Sequence, residues 1–193
     1  LNDVLDKLSA LAGKSAENTT RGYGWRLMEL GKHIERSRHT ARLLRELCVH
    51  PGDGATATLA VLLDVTDCTI THRARYRGEP TLLTVLDLLL VDGSNPRSIM
   101  HQIDEMAPHM AVMPMEPKDH SISESQRVLL TLQNELTLAD IDRLVNKRTK
   151  GGNRGQLERQ LKRIEQSVLK LSQLITQTYF AHSRDPNNHR LRR

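Results

Sequence analysis

Glu35 and Arg36 stand side by side in a helical stretch, and further along the chain come Arg73, Tyr76, Asp87, Asn95, Arg97 and Ser98. Their types are complementary, because guanidinium groups hold carboxylates and phosphates through forked hydrogen bonds. Asp87 interrupts an otherwise apolar run, where an unpaired carboxylate is expensive to bury. An arginine is expected to answer it, with Arg73 and Arg97 the first candidates. These residues make one candidate polar or anion site, in which Asn95 to Ser98 opens a helix whose free amides can receive an anion. Three readings stay open: structural ion pairs, a site for a phosphate or carboxylate, and a coincidence of types in which some members point to solvent.

Other chemistries are less well supplied. His33, Glu35, His39, His72, His101 and His109 are available for a metal, but His33 and Glu35 face different directions on a helix, and His33 and His39 lack the one-turn spacing of a zinc pair. No metal is expected. Cys48 and Cys68 belong to apolar patterns without CxxC spacing and read as core residues. Gly151, Gly152 and Gly155 make a basic hinge that lacks the strand a phosphate loop requires. No catalytic residue is assigned, and the chain alone is expected to have no ligase or hydrolase activity.

Helices must position these residues. Only 3% of the 193 residues are aromatic, and aliphatic helix formers abound. The fold expected is an all-α antiparallel bundle with a long C-terminal hairpin. Periodicity places helices over 2–12, 24–49, 56–77, 80–91, 96–112, 121–147 and 156–181. Gly13 is read as a stop, Asn95 as the cap of a helix starting at Pro96, and Ser121 with Glu124 as a capping box. In the second helix Leu27, Leu30, Ile34, Ser37, Ala41, Leu44 and Cys48 form a seam; in the third Leu62, Val65, Thr69, His72 and Tyr76 do. The last carries Leu157, Leu161, Ile164, Val168, Leu171, Ile175 and Thr178 at heptad spacing. Three segments are expected: a bundle over 1–115, a hairpin over 116–184 packed on it, and a mobile basic tail over 185–193.

The net charge of +5 is a C-terminal property, since residues 147–193 hold twelve Lys or Arg against three acids. RNA binding by this basic hairpin ranks last, because Tyr179 and Phe180 are its only aromatics for base stacking. No apolar run is long enough to span a membrane. Reduced cysteines and no signal peptide suit the cytoplasm. The start at Leu1 instead of Met reads as a fragment of something longer, and oligomeric state is not legible.

The run from Trp25 and Arg26 through Leu30, Gly31, Lys32 and His33 to Glu35 and Arg36 resembles the Alpha-E family of bacterial helical domains, with Glu35 and Arg36 as its Glu-Arg pair. Lys32 and His33 stand where two arginines are common, which puts the charge at position 33 in question. Tyr76 and Arg77, the apolar segment around Asp87, and Asn95 to Ser98 follow in the family's order. The resemblance covers residues 20–110 well and the terminal hairpin more loosely, and it is to the family's C-terminal part. It implies a context in which such domains are fused to, or encoded beside, circularly permuted ATP-grasp proteins and transglutaminase-like proteins. The function implied is a non-catalytic interaction domain that helps present or recognise substrate. ATP and Mg would then belong to a parent carboxylate-amine ligase and no cofactor to this fragment; the alternative is an anion or small-metabolite module using the arginines.

Overall fold

The computed structural model describes residues 2–50, 52, 55–114 and 122–180, and all regular structure among them is helical. The first helix, α1 (Asn2–Asn18), is longer than expected. Gly13 lies inside it with open space around its Cα, so only the propensity cost of roughly 1 kcal/mol is incurred, and the helix continues past it. Helix α2 (Tyr23–Cys48) buries Leu30, Ile34, Ser37, Ala41, Leu44 and Cys48, the seam its spacing predicts, with Leu27 half-buried at its edge. Ser37 satisfies its buried hydroxyl by donating to the His33 carbonyl at 2.8 Å.

The expected helix over 56–77 is broken into α3 (Thr56–Val65) and α4 (Thr69–Tyr76). Asp67 takes a left-handed conformation (φ 56°), and the Cys68 amide reaches back to the Leu63 carbonyl at 2.8 Å, a closure that ends α3. The break changes the helical phase: Leu62 and His72 are buried, but Val65 is 62% exposed, so the continuous seam does not exist.

Helix α5 (Leu82–Leu86) has Thr81 as its N-cap, in a capping box with Thr84, which leaves Pro80 outside it. It runs into a π-helical turn, Asp87–Val91, closed by the Asp92 amide on the Asp87 carbonyl at 3.1 Å. Leu82, Val85, Leu86, Leu88, Leu89 and Leu90 are all buried, as an almost wholly apolar segment should be. Helix α6 (Ile99–Ala111) starts later than expected because Ser98, not Asn95, is its cap, accepting the His101 amide at 3.0 Å.

Helix α7 (Glu124–Thr137) is capped by the reciprocal pair Ser123 and Gln126; the expected cap Ser121 lies outside the described residues. It stops ten residues short of the predicted end, and a separate turn of helix, α8 (Ile141–Asn146), starts at Asp140, whose side chain accepts the Arg143 amide at 2.9 Å. Helix α9 (Gly155–Tyr179) buries Leu157, Leu161, Ile164, Val168, Leu171 and Ile175, while Thr178 is exposed.

Four helices close a ring: α2 packs on α9 and α6, α6 on α7, and α7 on α9. One hydrophobic core runs through them and through α3, α5, the π turn and α8. The expected division at 115/116 and the tail 185–193 lie outside the described residues.

Candidate functional site

With its seam turned to the core, α2 must direct positions 35, 36 and 39 outward. Glu35, Arg36 and His39 line a groove of about 450 Å³ whose other wall is Val65, Thr66 and Asp67 from the α3–α4 junction and whose end is Pro96 and Arg97. Glu35 is 3.6 Å from Arg38, one turn on, and both are exposed. Arg36 has no hydrogen bond or ion pair with any described residue. Asp67, 84% exposed, accepts from Arg97 Nη2 at 3.0 Å across the groove.

The turn before α6 is held from inside. Asn95 is buried; its Nδ2 donates to the Leu88 carbonyl at 2.9 Å, and its Oδ1 accepts the Arg97 amide at 3.1 Å. Ser98, also buried, donates to the Asp92 carbonyl at 2.6 Å. Both side chains are consumed in building the turn, and Arg97 between them is thrown outward into the groove.

The eight sequence-predicted residues therefore divide. Glu35, Arg36 and Arg97 share the groove, with Asn95 and Ser98 as its supports. Tyr76 and Asp87 form a second cluster in which the phenol donates to the carboxylate. The arginine expected to answer Asp87 does not: Arg97 is on Asp67, and Arg73 lines a separate pocket of about 120 Å³ with Thr69, His72 and Glu79. The cause is the break at Asp67, which rotates α4 so that Tyr76 faces the π turn. Burial, then the Asp87 carboxylate, pushes the Tyr76 phenol up to about 12.

Arg75, beside Tyr76, pairs instead with Asp92 and donates from Nη2 to Ser94 Oγ at 3.0 Å. Burial opposes the Asp92 charge, but the Ser94 hydroxyl and amide and the Arg75 guanidinium outweigh it and hold the carboxyl below its usual range. Neither Arg75 nor Asp92 was among the expected residues.

A third cluster was also missed. Gln102 donates from Nε2 to the Pro96 carbonyl at 2.6 Å, which turns its Oε1 to His33 Nδ1 at 2.8 Å and assigns the proton to that nitrogen. His33 is buried and faces α6, not the groove. Its ring lies 6.2 Å from His109, which meets Trp25 edge-on at 5.0 Å. Burial, then the neighbouring His33 and Arg26, pushes His109 down, against a weaker pull from Glu29 and Glu105. The legible signal was Gln102 and His109 on the same stripe of α6 as Ile99, Ile103 and Met106.

Fold and groove define an all-α domain that presents an exposed Glu-Arg pair. The chain belongs to the Alpha-E family, described as "a predicted alpha-helical domain with a conserved ER motif", whose model matches residues 1–180. It is similar to uncharacterized proteins of Mycobacterium tuberculosis and Mycobacterium bovis, at 24% identity over 182 residues, which is 93% of this chain and 20% of theirs. The chain thus spans about a fifth of the length of the curated relatives it matches. No solved structure matches it.

Proposed function

We propose that this chain is a non-catalytic helical interaction domain that serves a circularly permuted ATP-grasp system, in cis or in trans, and helps present or recognise its substrate. The observation that carries this reading is the position of Glu35 and Arg36. They contribute nothing to the buried core, yet they line a groove of about 450 Å³, a placement suited to recognition. The match to only a fifth of each longer relative supports a role inside a larger protein. A transglutaminase-like protein is a further partner in this proposal.

Nucleotide chemistry would reside in the partner. The glycine-rich segment before α9 does not fit a phosphate: Thr149 and Asn153 close it into a turn, and the Arg154 guanidinium is buried against Cys48. Cys48 and Cys68 are both buried. Three cations of α9, Lys162, Arg163 and Lys170, are paired with Glu158, Glu135 and Glu124, which lowers the positive charge this helix offers a nucleic acid.

Co-purification of the chain with an ATP-grasp protein encoded in the same parent or neighbourhood tests the reading. Glu35→Gln and Arg36→Glu should lower recovery about tenfold, the effect of roughly 1.4 kcal/mol at an interface, while leaving the thermal melt in place. Wild-type recovery with both variants, or no association with any ATP-grasp protein, would overturn it.

A further inference from the structure

The groove contains two guanidinium groups in different situations. Arg36 is unpartnered among the described residues, whereas Arg97 is engaged on one edge by Asp67. Arg97 is also fixed at its backbone, because its amide is tied to Asn95 Oδ1, whose own amide is anchored on Leu88 O in the core. A backbone so fixed sets the Arg97 side chain at the end of the groove, where its planar fork can meet an acid group.

Asp67 tells what kind of group that is. Its carboxylate already shows the geometry that suits Arg97, 3.0 Å from Nη2, yet Asp67 is 84% exposed and sits on the three-residue junction between α3 and α4, outside both helices. An exposed pair of this sort contributes little to stability and is readily exchanged for another carboxylate. Asp67 therefore resembles a placeholder for a ligand acid.

We propose that the groove is a carboxylate site, in which Arg36 and Arg97 together receive the acid group of an incoming ligand and Asp67 is an internal competitor displaced from Arg97 on binding. The inference rests on the docking reading above and adds its chemistry. Glu35, on the same rim, adds an acceptor for an amide or ammonium group next to that acid, so the ligand carries both. Two sources share this chemistry: an acidic side chain within a peptide segment and a free small amino acid. A peptide segment fills an open groove of about 450 Å³ through its main chain, whereas a free acid relies on the charged contacts alone.

Isothermal titration of the 193-residue chain at low and high salt, with a capped Gly-Glu-Gly-Glu-Gly peptide, its Gln counterpart, and free glutamate, tests the proposal. Acidic probes should bind and weaken with salt, and the Gln peptide should not. Arg36→Gln and Arg97→Gln should each weaken binding about tenfold, the loss of one charge-assisted fork. Asp67→Asn should do the opposite and tighten it several-fold, because asparagine tolerates the left-handed backbone while removing the competing charge. Stronger binding of the peptide than of glutamate identifies a chain segment, and equal binding a free acid.

Failure of every acidic probe, or unchanged affinity in both Arg36→Gln and Asp67→Asn, would overturn the carboxylate assignment. If that happens while Arg36 still governs co-purification, the docking reading survives without it. If the acids bind as expected but partner recovery ignores Arg36, the carboxylate site survives and the docking reading falls.

Discussion

Arg154 donates from Nη1 to the main-chain carbonyl of Cys48 at 2.8 Å, and its amide donates to the Val49 carbonyl at 2.9 Å, so one residue of the glycine-rich turn closes the C-terminus of α2. The side chain is buried, and its charge sits where the helix dipole is negative. Arg154→Ala should therefore cost about 1.5 to 3 kcal/mol, the range for a hydrogen bond to a charged group. Chemical denaturation of the variant checks this, and a loss of a few tenths would show the contact to be dispensable.

Tyr76 and Asp87 give a second test. Tyr76→Phe leaves the Asp87 carboxylate without its phenol donor and should cost about 1.5 to 3 kcal/mol, whereas Arg73→Ala, at an exposed position, should lie within about 0.5 kcal/mol of wild type. An Arg73 variant as damaging as the Tyr76 variant would restore the ion-pair expectation.

The same phenol predicts alkaline behaviour. Its folded value is raised to about 12 from an ordinary 10, so its stabilisation is fully present below pH 10 and is lost as pH rises through 12. Unfolding followed between pH 9 and 12 should show a decline in wild type that is smaller in Tyr76→Phe.

Acid has its own signature. Burial lowers both His72 and His109, so each favours the neutral ring in the fold. The unfolded chain then binds more protons, and stability should fall as pH drops below the ordinary histidine value of about 6.5 and through the folded values. Melts of wild type and His109→Gln across pH 7.5 to 5 check this; an acid loss unchanged in the variant would remove His109 from the account.

The exposed motif should behave differently from all of these. Glu35→Gln and Arg36→Ala are expected to shift stability by less than about 0.5 kcal/mol, since neither packs in the core. A circular-dichroism melt lowered by several degrees in either variant would make the pair structural.

What local chemistry dictates was legible from residue order alone. The seams of α2 and α9 emerge because long helices repeat their buried face every three or four residues, and Leu30 to Cys48 and Leu157 to Ile175 keep that spacing without interruption. Placing Glu35 and Arg36 at the edge of such a seam follows from the same periodicity. Partnership does not follow. Asp67 has no Gly or Pro to announce the left-handed turn that breaks α3 from α4, and that turn decides that Tyr76 meets Asp87 and that Asp67 itself reaches Arg97. The choice between Asn95 and Ser98 as the cap of α6 was likewise made elsewhere, by the Leu88 carbonyl that claims the Asn95 amide from across the core. Helical phase is a local property, but which charged side chains meet depends on how separate helices are rotated against one another, and only the packed core sets that rotation.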